Sequence, residues 1–307
     1  MANLKEVRTR IESVNSTKQI TSAMKMVAAS KLRKSQNAIM SLRPYAEKFS
    51  EMLEQTTVSG QQSTVFSEVR EDGKILIIPL SSNKGLCGVF NANVIRVTMN
   101  LIKEEYQEKY DNKQVDILCV GSKVEEALKF KKYNVIGNHN ELLDDLTYDN
   151  AAVFAERLMK DFEDKKYDKI IFVYNQFKNA ATQILVTEQF LPISYQQSAV
   201  SSQQSVISNQ QSVISNQQDQ GIEFIFQPNK EEILTTMIPK SLKLQVYKIL
   251  LDSFASEQGA RMISMTQATD NATELLKELN LTYNKARQSA ITNELVEIVS
   301  GADALKG

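Results

Sequence analysis

Apolar residues near the start of the chain recur three and four positions apart: Leu4, Val7, Ile11 and Val14, then Ile20, Met24 and Val27, then Leu32, Ile39 and Leu42. Asn3 to Arg43 contains no proline or glycine, so the spacing predicts one amphipathic helix whose phase slips between groups, as coiled-coil seams do at stutters. Arg43-Pro44 is expected to kink or end it, because the residue before a proline is driven out of helical geometry. The C-terminal region repeats the pattern more strictly. From Lys240 to Ser300 there is no proline and one glycine, Gly259. Met262, Met265, Thr269, Ala272, Leu276, Leu279, Tyr283, Ala286 and Ala290 form a seam of threes and fours, and Ile291, Leu295, Ile298, Ala302 and Leu305 continue it one residue out of phase. About 60 helical residues make a rod of roughly 90 Å. The N-terminal helix is its best partner, since small seam residues (Ala28, Ala29, Ala272, Ala286, Ala290) let two backbones approach closely.

Between the two helices the period changes. Lys74 to Leu80, Val115 to Gly121, Lys169 to Tyr174 and Thr182 to Leu191 are short β-branched runs that read as strands, whereas Asn93 to Tyr110, Lys123 to Lys131 and Asn150 to Phe162 carry helical spacing. Alternation of this kind predicts one α/β domain with a parallel or mixed sheet, roughly Lys74 to Leu191. A last strand is expected at Ile222 to Phe226, before Pro228. Gln196 to Gln218 is low in complexity: QQSAVSS is followed by two copies of QQSVISN, with no charge until Asp219, and reads as a flexible polar insert. The chain therefore divides into an N-terminal coiled-coil helix (1–58), an α/β domain (74–194), the repeat insert (195–220), a return strand and linker (221–238) and a C-terminal coiled-coil helix (239–307).

Charge adds a local feature. The formal net charge is −1, which does not suggest binding to nucleic acid or to a membrane surface. Between Glu12 and Glu47, however, there is no acidic residue, while Lys18, Lys25, Lys31, Arg33, Lys34 and Arg43 fall in that window. A cationic stretch on a neutral chain implies an acidic partner surface. The two cysteines, Cys87 and Cys119, have no C-x-x-C spacing and read as free thiols of a reducing compartment. Charges run throughout MANLKEVRTRIESV, which resembles neither a signal nor a transit peptide, and no apolar run reaches the roughly 20 residues of a membrane span.

The catalytic inventory is poor. His139 is the only histidine and reads as an exposed loop residue, and no His or Cys lies at metal-ligand spacing, so neither a metal nor a cofactor is expected. The phosphate-loop and dinucleotide fingerprints are absent; Gly85-Leu-Cys-Gly88 follows a strand, but two glycines are weak evidence for a phosphate cradle. Polar residues on and beside the C-terminal seam (Arg261, Gln267, Asn271, Asn284, Arg287, Gln288, Thr292, Glu294) read first as register-setting or solvated positions, and alternatively as contacts to protein around the rod.

Three stretches together carry a resemblance. KEVRTRIESVNSTKQITSAMKMVAASKLRKSQ at the start, SSNKGLCGVFNAN after the first strand, and SEQGARMISMTQATDNATELLKELNLTYNKARQSAITNELVEIVSGADAL at the end resemble the gamma subunits of bacterial F-type ATP synthases. The resemblance covers the whole chain except the repeat insert. It implies an antiparallel coiled coil with a Rossmann-like α/β domain, a non-catalytic rotor shaft inside a ring of alternating alpha and beta subunits, and a foot on epsilon and a membrane ring of c subunits. It further implies a peripheral protein on the cytoplasmic side of the bacterial inner membrane, attached to the membrane only through partners. By resemblance, Arg287, Gln288, Thr292 and Glu294 meet loops of the catalytic subunits, with Arg261 lower on the same helix. Met24 and Lys25 face an acidic loop of beta, for which Lys18, Lys31, Arg33 and Lys34 make sensible electrostatic partners. Lys84 stands where the family usually has arginine, and Asn83 where it has aspartate, so the charge is kept and the bidentate fork is lost. The insert lies near the regulatory insertion of photosynthetic relatives but has no cysteine for thiol switching. Two other classes remain for comparison: a coiled-coil adaptor whose basic helix binds acidic partners or nucleic acid, and a nucleotide-binding α/β enzyme.

Overall fold

The chain is described here by a computed structural model, which covers residues 4–58, 65–70, 73–193 and 230–304. The expected strand at Ile222 to Phe226 and the repeat insert lie outside the described residues. Helix α1 spans Leu4–Val58, and the long helix α6 spans Lys230–Ala304. Between them run β1 (Ile75–Pro79), α2 (Phe90–Glu105), α3 (Gln107–Asp111), β2 (Val115–Cys119), α4 (Ser122–Phe130), β3 (Val135–Asn138), α5 (Tyr148–Glu163), β4 (Lys169–Phe177) and β5 (Gln183–Leu191).

The strands form one sheet in the order β3-β2-β1-β4-β5, parallel except for the antiparallel β4/β5 edge pair. Alternate residues of the same strands build two cores, as the period-2 geometry of a strand demands. Leu76, Ile78, Leu118, Ile170, Phe172 and Tyr174 face one side, against Phe154, Leu158 and Phe162 of α5 and Ile238, Leu242, Val246 and Ile249 of α6. Ile75, Ile77, Val115, Ile117, Ile171 and Val173 face the other, against Val94, Leu101 and Ile102 of α2 and Val124 and Leu128 of α4. Burial on both faces is why these strands read as continuous apolar runs.

Helix α6 thus belongs to both parts of the molecule. Its first turns complete the α/β core, and the helix then continues into the rod. Residues 230–238, expected as linker, are already helical, and both Pro239 in α6 and Pro44 in α1 lie inside helices rather than ending them. Pro44 and Met40, the residue whose carbonyl loses its partner to the proline, both sit on an exposed face where water can replace the missing bond. Gly259 marks a close approach: a Cβ there would lie 3.2 Å from the Ala180 carbonyl oxygen.

The rod is an antiparallel pair. Thr269 Oγ1 lies 2.9 Å from Thr21 Oγ1, while Leu32 and Ile39, later on α1, cluster with Leu251 and Ala255, earlier on α6. The α6 seam follows the sequence pattern through Met265, Ala272 and Leu279 to half-buried Ala286. The α1 seam follows it at Val7, Leu32 and Ile39 but not in the middle group. Val7, Thr21, Ala28, Leu32, Ser35 and Ile39 are the buried positions, in one unbroken heptad phase, whereas Ile20 and Val27, expected in the seam, are 60% and 57% exposed. There is no stutter; the polar seam residues Thr21 and Ser35 disguise the phase. The expected continuation of the α6 seam is also corrected. The Thr21–Thr269 register brings Leu4 level with Ala286, so the last 18 or so residues of α6, roughly 27 Å, extend past the first described residue of α1. Ala290, Ile291, Leu295, Ile298 and Ala302 are accordingly exposed.

Candidate functional site

In an open parallel sheet a ligand binds beyond the carboxyl ends of the strands, where the order reverses. Here that region is filled by the protein's own polar groups. Asn91 Oδ1 accepts from the Ser82 amide at 3.0 Å, Asn83 Nδ2 donates to the Asn140 carbonyl at 2.9 Å, and Asn140 Oδ1 accepts from the Gly121 amide at 2.9 Å. Gly121 is required: at φ 106° its Cβ would stand 2.3 Å from the Ser81 carbonyl oxygen. Glu125 accepts from Lys129 (2.6 Å), Asn138 (2.7 Å) and Asn140 (2.9 Å), and these bonds, that from Lys129 first, hold its carboxyl below the usual carboxylate range. Burial pushes the Cys119 thiol up to about 12, which leaves it protonated and a poor nucleophile. Among the described residues no cluster of His, Cys, Asp and Glu is suited to a metal ion. His139 is less exposed than the sequence suggests. Its ring stacks edge-on against Phe154 at 5.0 Å, with Nδ1 against Glu141 and Nε2 accepting from Arg157, both at 2.9 Å.

The surface that stands out is the rod and the collar where it leaves the sheet. Of the expected contacts on α1, Lys25, Lys31, Arg33 and Lys34 are exposed, while Lys18 and Met24 are half-buried. At 100° per residue Lys25 and Lys31 flank the seam on opposite sides, and Arg33 and Lys34 point away from it. The cations therefore ring the shaft instead of lining one stripe. Lys84, also exposed, projects from the loop between β1 and α2, and this loop reaches the rod: Arg261 Nη2 donates to its carbonyl at 2.8 Å. The Thr21 register sets Ala29 opposite Arg261, so Lys84 joins Lys25 and Lys31 at one height. At the tip, Arg287, Gln288, Thr292 and Glu294 are all exposed, and Thr292 Oγ1 spends its proton on the Gln288 carbonyl at 2.9 Å.

Arg261 departs from the expectation. It is only 8% exposed and is paired with buried Glu257, so its charge is committed within the chain and is not offered to a partner. Burial pushes the Glu257 carboxyl up against the downward pull of Arg261, and Lys31 adds to that pull. Apolar residues that the sequence reading did not assign also lie at the collar and tip: Met26, Leu86 and Val89, then Leu281, Val296 and Val299, each more than half exposed. For the four on the long helices the signal was available, since Met26, Leu281, Val296 and Val299 fall out of phase with the seams.

Among the described residues, an α/β base, a long helical pair rising from it and an apolar tip left uncovered define a shaft-bearing architecture. The comparisons agree. A family model described as ATP synthase matches residues 3–305. The ATP synthase gamma chain of Flavobacterium johnsoniae is 51% identical over the full length of both chains, that of Cytophaga hutchinsonii 46% identical over 99% of each, and that of Chlorobium phaeobacteroides 38% identical over the full length of both. A rotor chain of the Euglena gracilis mitochondrial ATP synthase shares the fold, with TM-score 0.62 and 19% identity over 94% of this chain and 98% of its own. The chain belongs to the gamma-chain family of the ATP synthase, is a subunit of that complex rather than a catalytic one, and shares its fold with a rotor chain.

Proposed function

We propose that the chain is the shaft that turns inside a ring of alternating alpha and beta subunits, coupling proton-driven rotation of a membrane c ring to ATP synthesis in beta. The observation that carries this reading is the unpaired tip. Ile291, Leu295, Val296, Ile298 and Val299 are 50% to 62% exposed on a single helix, a surface that calls for enclosure by other protein. A shaft without threefold symmetry touches each member of a threefold ring differently and so biases each toward a different conformation. Arg287, Gln288, Thr292 and Glu294 then meet loops of the catalytic subunits. Met24, Lys25, Lys31, Arg33, Lys34 and Lys84 meet an acidic loop of beta, with half-buried Lys18 contributing only at the edge. Epsilon and the c ring take the α/β foot, and attachment to the cytoplasmic side of the bacterial inner membrane is peripheral. The bacterial source of the curated relatives supports that location, and no helix among the described residues is long and apolar enough to cross a membrane.

Tagging the chain in its native host tests the reading. A co-purifying ATPase whose ATP-driven proton pumping is lost when the chain is ended at Ala286 is the expected result. A solitary chain, or one bound to nucleic acid, overturns it.

A further inference from the structure

The loop between β1 and α2 has a construction that its length does not require. Leu86 holds φ at 64°, a left-handed conformation that glycine adopts freely and a branched side chain does not. Its side chain is nevertheless 63% exposed, as is that of Val89 at 68%, and both lie within five residues of the exposed Lys84 on the same loop. Beneath them the loop is fastened. Cys87 and Phe90 are each 2% exposed, the Cys87 sulfur accepts from Asn91 Nδ2 at 3.2 Å, and Ser82 Oγ donates to the Lys84 carbonyl at 2.7 Å. From the shaft side, Arg261 Nη2 donates to the Lys84 carbonyl at 2.8 Å and the Gly85 carbonyl at 3.3 Å, while Nη1 holds Glu257. An ordinary surface loop buries its apolar side chains and relaxes its backbone. This one displays two apolar groups and a cation on a strained turn, and is anchored to a rod by a buried ion pair.

We propose that Arg261 is a positioning residue: it clamps the Lys84–Gly85 carbonyls to α6 and presents Lys84, Leu86 and Val89 as one stiff knuckle to an acidic, partly apolar loop of the surrounding ring. The functional half of this rests on the shaft reading above. A guanidinium suits the task because its planar fork reaches two carbonyls and a carboxylate together, whereas an ammonium is a point charge. Stiffness is what the arrangement supplies. A contact on a yielding loop absorbs a twist of the shaft, and one braced from behind passes it on.

The test uses the free chain for hydrogen exchange and the whole complex for ATP hydrolysis and ATP-driven proton pumping. Arg261→Gln is expected to raise amide exchange at Ser82 and Phe90, whose amides donate to Asn91 Oδ1 and the Cys87 carbonyl at the two ends of the loop, by about tenfold or more, as the loop loosens on loss of a hydrogen bond from a charged donor. Pumping per ATP hydrolysed falls by about threefold. Lys84→Ala lowers pumping to a similar degree without the exchange change, and the double variant pumps no worse than the weaker single. Leu86→Gly relaxes the backbone, so the free chain melts no lower than the parent, yet pumping falls. Unchanged exchange in Arg261→Gln, multiplied losses in the double variant, or parental pumping in Leu86→Gly overturns the proposal and leaves the shaft reading standing. Failure of the shaft reading shows differently, as a parent chain that brings down no ATPase.

Discussion

Replacing Ile291, Leu295 and Ile298 together by serine separates a surface kept for a partner from one that holds the chain together. The three side chains are 50%, 57% and 62% exposed, so a little over half of each remains to be covered by an enclosing ring. Complete burial of such a side chain stabilises by about 1.5–3 kcal/mol, and the uncovered half therefore represents about 0.8–1.5 kcal/mol each, or roughly 2.5–4.5 kcal/mol for the three. At 1.4 kcal/mol per factor of ten, the dissociation constant for the ring rises roughly 50- to 1,500-fold. The melting temperature of the free chain should be unchanged, because none of the three has an α1 partner to lose, and serine in an exposed helix costs only about half a kcal/mol. The assay is thermal denaturation of the free chain beside retention of the chain in the complex after dilution. A drop in free-chain stability of the size computed for the complex refutes the reasoning, since it places the tip against the rest of the chain; unchanged retention refutes it from the other side.

Two further outcomes follow from the sheet. The Glu125 carboxyl is held below its ordinary value of 4.5, chiefly by its hydrogen bond from Lys129, so its stabilisation is present above that value and lost as pH falls through the lower folded one; Glu125→Gln should flatten the acid limb of melting temperature against pH, and an unaltered limb rejects the bond network as its source. Cys119, pushed up to about 12 by burial first and by Glu125 second, should resist thiol reagents near pH ~8 in the folded chain and react once unfolded, which timed labelling and mass spectrometry distinguish.

The sequence was most readable where packing is apolar and regular. The α6 seam from Met262 to Ala286 stands as read because Met, Leu and Ala mark every turn of it. The α1 seam was legible at Val7, Leu32 and Ile39 but not throughout, because Thr21 and Ser35 pack although they are polar, while Ile20 and Val27 face outward; an apolar residue marks the pattern whether or not it meets the partner helix. Strand β3 went unseen: four residues, one of them Gly137, with alternate positions exposed at the edge of the sheet, give almost no signal. The fate of Arg261 was hidden for another reason. Its exposure depends on a loop some 175 residues earlier in the chain, and no local pattern encodes that contact. The cations of α1 were legible as a gap in acids, but their spread around the helix appears only once the seam is fixed.

Because α6 runs unbroken from the sheet to the tip, the bearing of one end relative to the other is counted in residues. Removing a single residue between Gly259 and Ala286 would draw the tip back by about 1.5 Å and swing Arg287 through about 100° relative to the α/β base. That is nearly a third of a revolution. The same step would turn Leu279 and the other seam residues beyond it away from α1, so the distance between these two ends is an angular setting that the packing of the rod enforces.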